Sequence, residues 1–350
     1  MKAWRLCGEP EKAQDLLDSI IDKHEAGDDD SLCPSDESFS ICIQAWTQSN
    51  QSDAAERAEK ILWKKEEYAN TIDKIDVKPS DYFPIIPLYK NDQENGSKRA
   101  TKLFEHVLEK YDNSSHKPDS HTLNALLDVY AKSRKGGNQA EHVLKHMNKL
   151  HKEGKTSILP DVISYRCVID AWIQMWTKEG PERVEALVNE MIDKYKNEGR
   201  TDLCPDTNLF NLILKACCHA PAMYASNETG GDHPIAIANR TFSILRRKNE
   251  YGATASHATF SFMFHIFRQH MDFNMDKRYK PLMDNLWKAC CKDGHVSQFT
   301  LESFRDCVLK EHFLKAIGGK PTGKDIKEIS VADLPKAWSR NVTSKQRKRK

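Results

Sequence analysis

The sequence predicts an all-α fold, a right-handed α-solenoid of stacked helical hairpins over residues 1–317, followed by an irregular basic tail over 318–350. Three observations predict this fold. A helix-initiating phrase recurs along the chain, an amphipathic stripe follows each copy, and polar connectors separate the successive pairs. A hairpin with one apolar stripe cannot bury it alone, so consecutive hairpins must stack.

The helix-initiating phrase is a Pro, then an acidic or small residue, then an apolar run opened by an aromatic residue or Leu. Clear copies begin at Pro34, Pro118, Pro160 and Pro205, and a fainter one at Ala255. The phrase favours a helix start because Pro suits the first turn and Asp or Ser accepts hydrogen bonds from unpaired amides. The copy at Pro79 is damaged, since Pro84 and Pro87 fall within its apolar run.

A second helix follows each phrase, with apolar residues three, four and usually seven positions after a small residue. The expected stripes are Ala13-Leu16-Leu17-Ile20, Ala58-Ile61-Leu62, Ala100-Leu103-Phe104-Val107, Ala140-Val143-Leu144-Met147, Val184-Leu187-Val188-Met191 and Ala238-Phe242-Leu245. Lys65 departs from this pattern because it occupies an apolar position. Further helices are expected over 277–292 and 298–315, and the chain opens inside a hairpin whose first helix is short.

Charged residues are distributed unevenly along the chain. The net charge is +2, but residues 318–350 carry ten Lys/Arg against three Asp/Glu, which leaves a net −5 on residues 1–317. The tail is therefore expected to be solvated and disordered, or to serve nuclear import or phosphate contact. No apolar run is long enough to predict a membrane span. The ten cysteines are expected to be reduced intracellular thiols.

Catalytic motifs are not found in the sequence, which predicts no enzyme activity and no cofactor. It has no Cys-x-x-Cys, no Gly-rich phosphate loop and no nucleophile–His phrase. Cys217-Cys218-His219 and Cys290-Cys291 invite a zinc hypothesis, but adjacent helical residues point about 100° apart and chelate poorly. They are interpreted as small core residues, and no metal site is predicted.

The repeated phrases together resemble the pentatricopeptide repeat family, with degenerate repeats. The best unit opens Val162-Ile163-Ser164-Tyr165-Arg166-Cys167-Val168-Ile169-Asp170-Ala171-Trp172, and the resemblance extends from about Trp4 to Phe267. Successive copies start 39 to 50 residues apart, which is longer than the family usually shows.

The resemblance implies binding of single-stranded RNA on a concave face, with about one base read per repeat. The reading positions are the polar residue after the aromatic one and the last residue of the unit. Carried over, the RNA-binding residues are Ser40, Ser80, Asn124, Asp161, Arg166, Asp206, Asn211, Ser256 and Ser261, with Ile163 as an apolar surface for a base. Asn124 with Asp161 suits uracil, and Asn211 with Ser256 suits a pyrimidine.

The resemblance further implies organellar RNA processing, stability or translation, in a mitochondrion or a plastid. Expected partners are single-stranded RNA and other proteins of an RNA-processing complex. No transit peptide is visible in this chain. Two other interpretations stay open at this point: a protein–protein scaffold with degenerate repeats and no RNA contact, and an enzyme subunit that lacks its catalytic domain.

Overall fold

The computed structural model describes residues 1–27, 33–72, 74–92, 95–111, 120–154, 158–222, 233–271, 277–319 and 325–342. In these ranges the chain forms sixteen α-helices and a few 3-10 turns, and it contains no β-strand. The prediction of an all-α fold built from helical hairpins is confirmed. No helix in the described ranges has both the length and the apolar composition needed to cross a membrane.

The described residues group into two compact units, Met1–Gln174 and Met175–Lys350. The first unit contains α1 (Lys2–Cys7), α2 (Pro10–Glu25), α3 (Asp36–Thr47), α4 (Ala54–Ala69), α5 (Pro79–Tyr82), α6 (Gly96–Tyr111), α7 (Ser120–Lys132), α8 (Gly137–Lys152) and α9 (Val162–Met175), which ends at the boundary. A 3-10 segment, Phe83–Asn91, continues α5. Helix α3 packs on α4, this segment packs on α6, and α7 packs on α8.

The second unit contains α10 (Gly180–Asn197), α11 (Thr207–His219), α12 (Pro234–Arg246), α13 (His257–His270), α14 (Tyr279–Asp293), α15 (Gln298–Cys307) and α16 (Lys310–Ala316). Helix α11 pairs with α12, α13 with α14, and α15 with α16. The first helices of these hairpins also pack side by side, α11 on α13 and α13 on α15. The helix expected over 298–315 is two helices, because Val308 and Leu309 have extended backbones.

The predicted stripes of α6, α8 and α10 are buried in full, for example Ala140, Leu144 and Met147 in α8. In α2 the stripe is rotated slightly: Ile21 is buried, and Leu16 is partly exposed. The stripes fill the space between neighbouring helices, as amphipathic helices of a repeat array do.

Part of the tail is ordered, so the expectation of a disordered segment from residue 318 is wrong for residues 325–342. These residues form three 3-10 turns, Ile326–Glu328, Val331–Asp333 and Lys336–Ser339. The Val296 amide donates to the Trp338 carbonyl at 2.9 Å, and Trp338 packs edge-on against Trp287. Burial of four apolar side chains stabilises this segment, although its net charge gives no sign of them. They are Ile326, Ile329, Leu334 and Val342. Residues 343–350, with their five Lys/Arg, lie outside the described residues.

Candidate nucleic-acid interface

The first helices begin with side-chain caps. Asp161 Oδ1 accepts from the Ser164 amide at 2.8 Å, and Asp206 Oδ1 accepts from the Leu209 amide at 2.7 Å. Ser256 caps α13 in the same way, because its Oγ accepts from the Thr259 amide. These caps satisfy amides that have no partner within the helix. The helix starts at Asp161, Asp206 and Ser256 therefore lie where the recurring phrase places them.

In the first unit, Asn124 connects α7 to the start of α9. Asn124 Nδ2 donates to Asp161 Oδ1 at 3.3 Å, and Ser164 Oγ donates to Asn124 Oδ1 at 2.6 Å. Asn124 is the fifth residue of its repeat, Asp161 is the N-cap of the next first helix, and Ser164 is that helix's third residue. We call such a set of hydrogen bonds between two consecutive first helices a helix-start bridge.

The second unit repeats the helix-start bridge with different residues. Asn211 Nδ2 donates to Ser256 Oγ at 3.4 Å, and Thr259 Oγ1 donates to Asn211 Oδ1 at 2.8 Å. The Ser256 amide in turn donates to Thr259 Oγ1 at 3.0 Å. The two predicted pairs, Asn124 with Asp161 and Asn211 with Ser256, are therefore brought together, each with one further hydroxyl.

Two reduced bridges involve Ser261 and Ser40. Ser261 Oγ lies 3.4 Å from Thr300 Oγ1, which belongs to the third residue of α15, and both side chains are buried. Ser40 Oγ lies 3.3 Å from Asp81 Oδ1, the third residue of α5. Neither bridge has the amide that could offer a base both a donor and an acceptor.

Ser40 and Ser80, both carried over as RNA-binding residues, do not contact each other in the way that Asn124 contacts Asp161. Ser80 is the exposed second residue of α5, and Asp81 holds the position beside Ser40. The side chain that fills this site is Lys65, whose Nζ lies 2.8 Å from Asp81 Oδ2, 2.8 Å from Asp36 Oδ1 and 3.4 Å from Ser40 Oγ. Its side chain is only 1% exposed, so this bridge holds a buried cation where the bridges of Asn124 and Asn211 hold an amide.

The remaining predicted residues lie at the surface. Arg166 and Asp206 have exposed side chains, and Asp206 also accepts from Asn208 Nδ2 at 3.1 Å. Ile163 is 59% exposed and follows Asp161 by two residues. Phe299 holds the same second helical position in α15 and is 45% exposed, so an apolar side chain faces solvent at two helix starts.

Sequence reasoning missed the third helical residue as a member of the site. Ser164, Thr259 and Thr300 are fully buried, and their hydroxyls hydrogen-bond the fifth residue of the preceding first helix. The sequence does contain a pattern that marks these residues, because each lies three positions after its N-cap residue, as in a capping box. The three motifs are Asp161-x-x-Ser164, Ser256-x-x-Thr259 and Ser297-x-x-Thr300. That spacing explains the local cap but gives no indication of the contact with the preceding hairpin.

The thiols take no visible part in this site. Cys217 and Cys290 are buried, and burial raises the pKa of the Cys291 thiol to about 12. Across the described ranges, no group of three or more His, Cys, Asp or Glu side chains could hold a metal ion.

Comparison with known proteins gives two solved structures. They are the pentatricopeptide repeat protein PPR10 in complex with an 18-nt psaJ RNA element, and a cysteine-to-serine variant of that protein with the same element. Each is 13% identical to this chain, with a TM-score of 0.32, and the match covers 90% of this chain and 48% of that one. The chain thus spans about half the length of the protein it matches. No family model and no curated protein matches the sequence.

Proposed function

We propose that this chain is a non-catalytic RNA-binding helical-repeat protein that reads single-stranded RNA at the starts of its first helices. The observation that carries the proposal is the helix-start bridge of Asn124 and Asp161, where an amide and a carboxylate are held side by side at the half-buried start of α9. By the family resemblance, its work is organellar RNA processing, stability or translation, in a mitochondrion or a plastid.

The bridge leaves hydrogen-bonding capacity for a base. The bonds that Asp161 accepts from Asn124 Nδ2 and from the Ser164 amide both reach Oδ1, so Oδ2 is the oxygen that can accept an imino N–H. Asn124 retains its second Nδ2–H, which can donate to a base carbonyl. Uracil offers both an imino N–H and a carbonyl, whereas cytosine has an unprotonated ring nitrogen that the carboxylate would repel. The pair therefore favours uracil.

The bridge in the second unit has a different preference. Ser256 replaces the carboxylate with a hydroxyl, which both donates and accepts. Asn211 with Ser256 therefore accommodates either pyrimidine. The bridge at Ser40 contributes no base preference, because Lys65 Nζ donates hydrogen bonds to Ser40 Oγ and Asp81 Oδ2 from the buried side.

The test is a selection from a random single-stranded RNA pool with the parent protein and with Asp161→Asn. Asparagine keeps an oxygen for the Ser164 amide and so preserves the cap, but it replaces Oδ2 with an N–H donor. We expect the position enriched in uracil to shift toward cytosine, with a preference of roughly 5- to 100-fold as for other base contacts. Ser80→Ala is the matched control and should select the same RNAs as the parent. A parent protein that enriches no RNA at moderate salt would refute the proposal.

A protein–protein scaffold is the second candidate, favoured by the adjacent exposed apolar residues Val162 and Ile163. Exposed apolar neighbours can mark a protein contact. Under this candidate, Ile163→Ser abolishes capture of a protein partner, while the parent protein shows no RNA enrichment. Under the RNA-binding proposal, the same substitution weakens binding to the selected RNA, because the base loses an apolar surface on which to rest.

A further inference from the structure

The residue one helical turn after each bridging Asn differs in charge between the two units. Asn124 is followed four positions later by Asp128 in α7, and Asn211 is followed by Lys215 in α11. Residues four apart on a helix lie on the same face, and their side chains are neighbours. The bridge of the first unit therefore has a carboxylate beside it, whereas the bridge of the second unit has an ammonium group.

Lys215 is available to a ligand. Its side chain is half-buried, and it forms no ion pair with any residue that the structure describes. A lysine in this setting lays its aliphatic stem along the protein surface and keeps the ammonium group in water. Asp128, by contrast, already has a partner, because Lys132 Nζ lies 3.9 Å from its Oδ1.

The two reduced bridges have no permanent cation at the corresponding place. Ser40 is followed four positions later by Gln44, and Ser261 is followed by His265. Burial lowers the pKa of the His265 imidazole below its usual 6.5, so this side chain is neutral at pH 7. Among the four bridges, Lys215 therefore provides the one lasting positive charge a turn beyond the bridging residue.

The charge balance of the two units supports a difference in their attraction for RNA. Residues 1–174 carry 24 Lys/Arg against 30 Asp/Glu, whereas residues 175–350 carry 29 against 21. RNA affinity depends strongly on the neutralisation of phosphates by Lys and Arg, and a net negative surface opposes it. We therefore expect the second unit to supply most of the electrostatic affinity.

We propose that Lys215 contacts an RNA phosphate next to the base that Asn211 reads. The bridge of the second unit then anchors the RNA, and the bridge of the first unit adds base preference with little affinity. The inference rests on the proposed RNA-binding function, and it adds a phosphate-binding residue to one of the two complete bridges. Lysine suits this role because its ammonium group is a compact charge with three donors for phosphate oxygens. Asp128 cannot take the same role, because a carboxylate repels phosphate.

The experiment measures dissociation constants of the full chain at several salt concentrations, with an RNA that the parent protein selects. One phosphate contact on single-stranded RNA contributes about 0.7 to the slope of log affinity against log salt. Lys215→Gln should lower the slope by that amount and weaken binding roughly fivefold near 0.1 M salt. The loss should be equal for RNAs with uracil or cytosine at the position read by Asn211, because phosphate contacts carry no sequence information. Lys215→Arg keeps the charge and should retain the parental slope.

Two further variants are matched to Lys215→Gln. Lys288→Gln makes the same change of charge at an exposed residue of α14, a second helix, and should leave the slope unchanged. Asp128→Lys places an ammonium group one turn after Asn124 and should raise the slope by about 0.7 or more, with tighter binding at low salt. This variant gives the first unit the arrangement that the second unit already has.

Four results would overturn the inference. Lys215→Gln could keep the parental slope, or it could change the base preference at the position read by Asn211. Lys288→Gln could lower the slope as much as Lys215→Gln does, which would indicate a general effect of net charge. Asp128→Lys could bring no gain in affinity. A parent protein that binds no RNA would instead refute the proposed function, and the inference with it, so the parental affinity separates the two failures.

Discussion

Substitution of Lys65 tests how much a buried charge contributes to the stability of the first unit. It occupies a stripe position of α4 that the repeat pattern reserves for an apolar residue, and its ammonium group contacts Asp36 and Asp81. Replacing it with Met, which is similar in length, removes the charge but keeps most of the packing. The change therefore isolates the electrostatic contribution of the cluster.

The magnitude follows from the exposure of the two carboxylates. Breaking a buried ion pair by removing one partner typically costs about 3–5 kcal/mol. The Asp36 side chain is 43% exposed and recovers water, whereas that of Asp81 is 11% exposed and cannot. We therefore expect a loss at the lower end of the range, about 3 kcal/mol. A second change, Asp81→Asn, should restore most of it, since it removes the unpaired charge and keeps an oxygen for the Lys78 amide, which donates to Asp81 at 2.9 Å.

Hydrogen exchange of the full chain, followed by mass spectrometry, gives the local readout. A loss of about 3 kcal/mol corresponds to roughly a hundredfold faster exchange in peptides of α3, α4 and α5 when exchange follows local opening. Lys60→Met is the matched control on the same helix. Lys60 pairs with Glu56 at 2.7 Å, but both side chains are exposed, so the change should cost well under 1 kcal/mol.

Two outcomes would contradict this reasoning. Parental exchange rates in Lys65→Met would mean that the buried charge contributes nothing to stability. A double variant no more protected than Lys65→Met would mean that the loss arises from packing rather than from the unpaired Asp81 carboxylate.

Three further predictions concern the second unit and the tail. Replacing Leu187 and Val188 with Asp buries two charges and should cost more than about 4 kcal/mol, seen as lost helical signal in far-UV circular dichroism. Burial lowers the pKa of His270 below its usual 6.5, although its Nε2 bonds the Cys217 carbonyl at 2.8 Å. Unfolding exposes a more basic imidazole, so stability should fall as the pH drops below about 6.5. The urea midpoint should therefore be lower at pH 5.5 than at pH 7.5, and His270→Gln should reduce this difference. Deleting residues 343–350 should weaken binding of all RNAs equally and reduce the salt slope by about 0.7 per lost phosphate contact. An unchanged slope would show that these residues do not contact phosphate.

The hairpins could be predicted because their signals are local. An apolar stripe needs only the helical period and a single face to bury, and the stripes of α6, α8 and α10 are buried as expected. The order of residues 325–342 could not be predicted from charge. Its four buried apolar residues are too widely spaced to form a periodic pattern, and the turn Lys336–Ser339 packs on α14, where Trp338 contacts Trp287 from far along the chain.

The unit at Pro79 shows how a correct motif can be placed in the wrong register. At Pro160 and Pro205, the Pro precedes the N-cap residue, whereas Pro79 is itself the first residue of α5 and Lys78 is the N-cap. The aromatic position therefore falls on Tyr82, three residues after the Pro instead of five. The sequence pattern therefore assigns the last position of the unit to Ser80, whereas the N-cap of α5 is Lys78.

The helix-start bridge at Asp161 is compatible with both interpretations that the sequence left open. An Asp after a Pro is an ordinary N-cap, and the sequence resemblance to pentatricopeptide repeats also implies a base-reading role at this position, so Asp161 could be interpreted either way. The two functions do not compete, because the cap uses Oδ1 and leaves Oδ2 for a ligand. Under the proposed function, one side chain therefore carries both the helix cap and the base preference. Asp161→Ala would confound the two effects, while Asp161→Asn changes the outward atom alone, which is why the conservative substitution is the more decisive experiment.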